Sequence, residues 1–243
     1  MEGGILMQIN KLLTKTNYEN TNNTNRIKYL VVHYVGALGG AQDNCKYFYD
    51  TYRGASAHYF VGHQGEIWQC VDDADVAWHC GAPSYKHPSC RNSNSIGIEL
   101  CCKNNGNWYF EDATVNAAVE LTKYLMKKYN IPAANVIRHY DVVAKNCPAP
   151  YVDNNTKHTW VEFKTLITKP DVKYRVQVGA FDSRANAERL MAQVKAKGFS
   201  AFIAVEGGKY KVQVGAFANR SNADSLKAKV KAAGFDAFIS AKE

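Results

Sequence analysis

The chain of 243 residues has no run of about eighteen consecutive apolar residues, so no membrane-spanning helix and no membrane insertion are expected. Its first residues, "MEGGILMQINKLLTKTNYENTNNTN", lack the basic start, long apolar stretch and small-residue cleavage site of a secretory leader. The expectation is a protein made in the cytoplasm that reaches any outside target after release or lysis. Cysteine is absent beyond Cys147. The seven present, Cys45, Cys70, Cys80, Cys90, Cys101, Cys102 and Cys147, are odd in number and irregularly spaced. That excludes a simple disulfide framework and points to reduced thiols, most of them small buried apolar groups. An excess of acid is also missing: the net charge is +8. Residues 171–243 hold 13 Lys and Arg against 7 Asp and Glu, so most of the excess sits in the tail. A basic tail suits an anionic polymer, either an acidic glycan or nucleic acid, or it is simply a lysine-rich solvated surface. The tail lacks the interleaved aromatic and basic residues of an RNA reader, so no nucleic-acid partner is expected.

What is present begins with a repeat. "YRVQVGAFDSRANAERLMAQVKAKGFSAFIA", from Tyr174, lies over "YKVQVGAFANRSNADSLKAKVKAAGFDAFIS", from Tyr210, at an offset of 36, and most aligned positions are identical. Each copy opens with strand-like alternation. A polar turn follows, with Ser183 or Asn186 available as a helix cap. Ala187, Leu190, Met191 and Val194 then form one helical face, and Gly198 ends it. "FSAFIAV" reads as a second strand. Two such β-α-β units predict a small α+β domain, a four-stranded antiparallel sheet backed by two helices. One copy could not bury its apolar face alone.

The rest of the chain predicts an α/β domain with a mixed sheet flanked by helices. "RIKYLVVHYV" is a strand ending at His33, "SAHYFVGHQGEIWQCV" a hairpin, "SIGIELCC" a further strand, and "NVIRHYDV" a short strand ending in His139. "DATVNAAVELTKYLMKKYN" is an amphipathic helix with Pro132 just past it. The expected division is an N-terminal extension at 1–25, a first domain at 26–168, a linker at 169–173 and the repeat domain at 174–243.

His33 and His139 each stand where an apolar strand gives way to a loop, a place where side chains leave the core. Cys147 lies eight residues past His139. Two imidazoles and a thiolate make a zinc ligand set with a fourth position open to water. The alternative is ordinary hydrogen-bonded surface histidines and a polar loop, and spacing does not choose between them.

Four segments, "YLVVHYVG", "ASAHYFVGHQGEIWQCVDDADVAWHCG", "NSIGIEL" and "IRHYDVVAKNCP", occur in an order that resembles the type-2 N-acetylmuramoyl-L-alanine amidases, relatives of peptidoglycan recognition proteins and some phage lysozymes. The resemblance covers residues 26–168. It implies zinc as cofactor, His33, His139 and Cys147 as its ligands, and Glu99 and Lys145 as catalytic groups. It further implies substrate contacts at Trp78, His79 and His58, although a hydrogen-bonded core histidine is an equal reading of His58. Some relatives carry tyrosine where this chain has Ala57, which places more weight on Glu99. The tail resembles the SPOR domain, which implies peptidoglycan binding on the sheet face. Strand alternation sets Gln177 and Gln213 opposite Val176, Val178, Val212 and Val214. Those glutamines, with Arg175 and Lys211, are the candidate glycan contacts. Together these imply a monomeric peptidoglycan hydrolase of endolysin or autolysin type, which cleaves between N-acetylmuramic acid and L-alanine. The alternative is a recognition protein without catalysis.

Overall fold

The computed structural model describes residues 7–170, 172–217 and 220–242. The chain divides into two compact units between Lys169 and Pro170. In the first, the strands are β1 (Ile9–Lys11), β2 (Tyr18–Glu19), β3 (Tyr29–Tyr34), β4 (Tyr59–Val61), β5 (Ile67–Gln69), β6 (Val76–Ala77), β7 (Ser95–Leu100), β8 (Lys103–Asn104), β9 (Trp108–Tyr109) and β10 (Val136–Arg138). Its helices are α1 (Ala41–Tyr49), α2 (Asp112–Tyr129), α3 (His139–Val143), α4 (Ala149–Asp153) and α5 (Trp160–Thr168). Six strands form the main sheet in the order β1-β5-β4-β7-β3-β10. All neighbours are parallel except the β4–β5 hairpin, so the sheet is mixed.

β3 and β7 read as nearly unbroken apolar runs because both of their faces are covered. On one face, Leu30, Val32, Ile96, Ile98 and Leu100 pack with Val115, Leu121 and Leu125 of α2 and with Phe163 and Ile167 of α5. Each fully buried aliphatic side chain there stabilises the fold by about 1.5–3 kcal/mol. The other face carries Ala41 and Cys45 of α1 against Phe60, Cys70 and Cys101. Helix α2 stops where Asn130 turns into the left-handed region (φ 51°) and Pro132 follows. Asp73 ties the layers together. Its buried carboxylate accepts from Tyr59 of β4 at 2.7 Å, Gln69 of β5 at 3.2 Å, and Lys128 (2.9 Å) and Tyr129 of α2.

Two expectations need correction. Residues 1–25 are not an extension where they are described: β1 pairs in parallel with β5, and β2 pairs with β6. Three-residue and two-residue strands have too few positions to show alternation in sequence. His139 does not end a strand. β10 stops at Arg138, whose backbone N–H donates to Asp141 at 2.9 Å, and that contact starts α3 at His139.

In the second unit, β11 (Lys173–Phe181), α6 (Arg184–Ala196), β12 (Phe202–Glu206), β13 (Lys209–Phe217), α7 (Arg220–Ala232) and β14 (Phe238–Lys242) follow one another. Lys173 already belongs to β11, so the linker is shorter than 169–173. The sheet order is β12-β13-β11-β14, antiparallel throughout. Val176, Val178, Val212 and Val214 face Ala187, Val194, Ala223 and Val230 of the helices. Ser183 holds the N-cap position of α6 without a side-chain cap bond, and Asn186 lies inside the helix. Gly198 follows α6 at φ 84°, a conformation that glycine adopts without strain.

Candidate functional site

The site follows from the register of three central strands. His33 of β3 lies directly beside Glu99 of β7, and Glu99 beside Phe60 of β4. Paired residues share a sheet face, so His33 and Glu99 emerge together opposite α2. The loop after α3 completes the group. Ala144 caps α3 in the left-handed region, the Cys147 N–H donates to the Lys145 carbonyl, and the Tyr140 N–H donates to the Cys147 carbonyl, both at 2.7 Å. This fold-back returns Cys147 to the start of α3, next to His139.

One ligand atom each from His33, His139 and Cys147 fits within 4.8 Å, and all three residues are buried. His33 Nδ1 is 3.7 Å from Cys147 Sγ. A tetrahedral zinc holds such an N and S about 3.6 Å apart, given bonds of about 2.05 and 2.3 Å. Both ring nitrogens of His139 are buried without a hydrogen-bond partner. Orphaned buried nitrogens beside a thiol fit a metal better than they fit a hydrogen-bonded core. Burial lowers His33 well below the ordinary histidine range and lowers His139 to about 4, with Lys145 adding to both. Both imidazoles are therefore neutral, as ligands must be. Burial and the nearby Glu99 push the Cys147 thiol up to about 12. A bound dication would reverse that preference.

Glu99 has one carboxylate oxygen 3.9 Å from His33 Nδ1 and the other buried without a partner. Burial raises its carboxyl to about 8, opposed by the positive charge of Lys145. Lys145 is exposed and lines the same cleft, of about 310 Å3, as His33, His139, Cys147 and Glu99. Ala57 lines it as well, so no side-chain hydroxyl stands at that place. A larger hollow of about 790 Å3, bordered by Lys11, Lys28, Tyr124 and Lys128, holds no histidine or cysteine among its lining residues.

Trp78 also borders the cleft, held by a reciprocal pair of 3.0 Å hydrogen bonds with Ser56. Tyr52, 72% exposed, packs edge-on against Trp78 at 6.0 Å between ring centroids. Nothing in the sequence around "TYRG" marks Tyr52. His79 reaches the cleft, but both of its nitrogens are engaged within the protein, by His33 at 3.0 Å and Ser95 at 3.1 Å. His58 does not line the cleft. It is fully buried, its Nδ1 accepts from the Gly97 N–H at 3.0 Å, and its Nε2 is 3.1 Å from the Asp75 carbonyl. Burial drives it down to about 3. All seven cysteines are free and buried.

In the second unit the pairing register forms a row across the sheet: Phe202, Gln213, Gln177, Phe238. The row lies opposite the helices. Both glutamines are only 2% exposed, and the Nε2 of each is buried without a partner. The phenylalanines at the row's ends are 42% and 47% exposed. Arg175 and Lys211 are not free cations, since both approach Glu206, at 3.7 and 3.0 Å.

The profile of the family described as N-acetylmuramoyl-L-alanine amidase matches residues 23–150, and that of the SPOR domain matches residues 170–241. The N-acetylmuramoyl-L-alanine amidase CwlL of Bacillus licheniformis is 33% identical over 144 residues, 55% of this chain and 39% of the relative. BlyA of Bacillus subtilis (strain 168), of the same description, is 33% identical over 156 residues, 58% of this chain and 41% of the relative. The chain thus spans about two fifths of these relatives' lengths. The catalytic domain of XlyA superimposes with a TM-score of 0.54 at 27% identity, over 66% of this chain and 99% of that structure. A mutant structure of PlyL gives 0.57 at 25% identity, over 68% of this chain and 100% of that one. With its motifs, its mixed sheet and its His-His-Cys cluster in agreement, the chain belongs to the N-acetylmuramoyl-L-alanine amidase family and carries a SPOR domain behind the amidase domain.

Proposed function

We propose that this protein is a zinc-dependent peptidoglycan hydrolase that cleaves the amide between N-acetylmuramic acid and L-alanine. The observation that carries this reading is the cluster of His33, His139 and Cys147 with Glu99 in register beside it. The three ligands would hold zinc, which supplies Lewis acidity, a water with pKa near 7 and a polarised carbonyl. Glu99 takes the proton from the attacking water at its carboxylate and passes one to the departing alanine nitrogen. Burial favours the protonated form of this carboxyl and a bound dication would favour the carboxylate, so the two opposing effects suit a group that both takes and returns a proton. Lys145 faces the cleft as the cation for the developing oxyanion, a role worth about 3–4 kcal/mol per donor. Trp78 and Tyr52 offer an aromatic wall for the sugar.

The tail acts as the wall-binding module. Phe202 and Phe238 offer ring faces for sugar stacking at the two ends of the row, while Gln177 and Gln213 lie buried between them and support it from within the sheet. Hydrolysis at the proposed bond strips stem peptides and leaves bare glycan, the form the tail would hold. Action is therefore at the cell wall, and among the described residues no helix is long and apolar enough to cross a membrane. The test measures zinc content and the release of new L-alanine amino termini from purified wall, for wild type, Cys147→Ser and Glu99→Ala. Loss of zinc in the first variant, and of activity with zinc retained in the second, is expected. A wild type without zinc, or Glu99→Ala at full activity, overturns the mechanism. A protein that binds wall and zinc but releases no amino termini would be a recognition protein instead.

A further inference from the structure

His33 uses its two nitrogens differently. Nδ1 faces Cys147 and Glu99, at 3.7 and 3.9 Å, and Nε2 lies 3.0 Å from His79 Nδ1. His79 Nε2 in turn lies 3.1 Å from Ser95 Oγ, which is 2.6 Å from the Arg91 carbonyl. A neutral imidazole has one N–H and one lone pair, so the proton positions must be inferred from the network. Here one end of the network is fixed, because a backbone carbonyl only accepts. The Ser95 hydroxyl therefore donates to Arg91, and its oxygen accepts from His79 Nε2–H. His79 Nδ1 then carries a lone pair and accepts from His33 Nε2–H. The lone pair of His33 is left on Nδ1, the nitrogen that faces Cys147.

We propose that His79 is a positioning residue that locks His33 in the tautomer able to bind a metal, rather than a group that binds substrate through its nitrogens. Two independent features build its place. A Cβ on Gly97 would lie 2.5 Å from His79 Cγ, so β7 is stripped of its side chain where the ring rests. The backbone of His79 is clamped as well: Asn92 Oδ1 accepts from the His79 N–H at 3.1 Å and from the Cys80 N–H at 2.8 Å. The two rings meet edge to face at 90°. A metal-binding histidine whose other N–H is held this way gains basicity and a fixed plane, and loss of such a partner typically costs about 10–100-fold in metal affinity.

The inference rests on the zinc reading, and the experiment separates the two. Nitrogen NMR of the metal-free protein reports the His33 tautomer directly: Nε2–H is expected in wild type, and Nδ1–H overturns the proposal whatever the metal content. Competition with a chromogenic zinc chelator, on the full chain, then compares His79→Leu, His79→Asn and Ser95→Ala. His79→Leu removes the acceptor and should weaken zinc binding by about 10–100-fold. His79→Asn returns an oxygen near the place of Nδ1 and should recover most of that loss. Ser95→Ala frees the far end of the network without disturbing the His33 contact, and should weaken zinc by a smaller factor with the fold intact. Unchanged zinc affinity in His79→Leu, with KM raised and kcat kept at saturating zinc, makes His79 a substrate contact and overturns the proposal. A wild type that binds no zinc overturns the functional reading itself.

Discussion

Replacing Glu99 by glutamine keeps the shape of the side chain but removes its charge and its basicity. In the folded protein, one Glu99 oxygen is buried without a partner and the other is 3.9 Å from His33 Nδ1, while burial raises the carboxyl to about 8. Loss of a general base of this kind slows turnover by about 10²–10⁴, or about 3–5 kcal/mol in the barrier. Stability should move the other way. A buried carboxyl that must take up a proton to fold at neutral pH opposes folding, and a neutral amide of equal size relieves part of that cost. The metal-free variant should be at least as stable as wild type, by up to about 1–2 kcal/mol. The assay pairs urea unfolding of metal-free protein with release of L-alanine amino termini by the zinc-loaded form, at matched zinc content. Gained or equal stability with a hundredfold or greater loss of turnover is the signature of a group kept for chemistry. Turnover within tenfold of wild type refutes the base role. A fall in stability that accounts for the fall in activity makes Glu99 a structural residue.

Asp73→Asn should destabilise the first unit by about 2–3 kcal/mol, read from the urea midpoint, because Tyr59, Lys128 and Tyr129 lose an ionised acceptor. Burial alone would raise the Asp73 carboxyl, yet hydrogen bonds from Tyr129, Tyr59 and Lys128 bring it below the ordinary value. The unfolded chain therefore takes up this proton first. The stabilisation is full above the unfolded pKa of about 3.9 and fades as pH falls through the lower folded value, and Asp73→Asn should flatten that part of the acid profile. Phe202→Ala with Phe238→Ala should weaken sedimentation with peptide-stripped glycan by at least tenfold and leave thermal unfolding nearly unchanged, since both rings are exposed. Removal of residues 170–243 should lower binding to stripped glycan more than to intact wall, and equal losses would refute product retention.

The members of the His33, His139 and Cys147 cluster were legible as candidates through the segments that carry the family resemblance, while their spacing alone did not choose a metal over a polar loop. The tail was legible because its repeat states the same pattern twice. What sequence could not express was pairing. The row of Phe202, Gln213, Gln177 and Phe238 is a property of register across four strands, and register shifts flank Gln177. Alternation correctly turned the glutamines away from the helices, but it could not show that their neighbours leave them only 2% exposed. Arg175 and Lys211 looked free because Glu206, which holds them, comes from another strand.

His58 and His79 show the same limit at the site. Both are histidines in short apolar surroundings, and the sequence left His58 open between core and substrate contact while it turned His79 toward substrate. Gly97 separates them. Its N–H donates to His58 Nδ1, which turns that ring into a buried support for β7. Its missing side chain admits the ring of His79, which sits two residues along β7 from Glu99 and one hydrogen bond from His33. Gly97→Ala should therefore leave the His58 bond intact and displace His79. Overpacking of this kind costs about 1–3 kcal/mol in stability. If His79 holds His33 as inferred, zinc affinity should fall by about as much as in His79→Leu, even though neither a ligand nor a network residue has been changed. A Gly97→Ala protein that folds and binds zinc as tightly as wild type would show that the ring has another place to rest, and that the bare position in β7 serves something else.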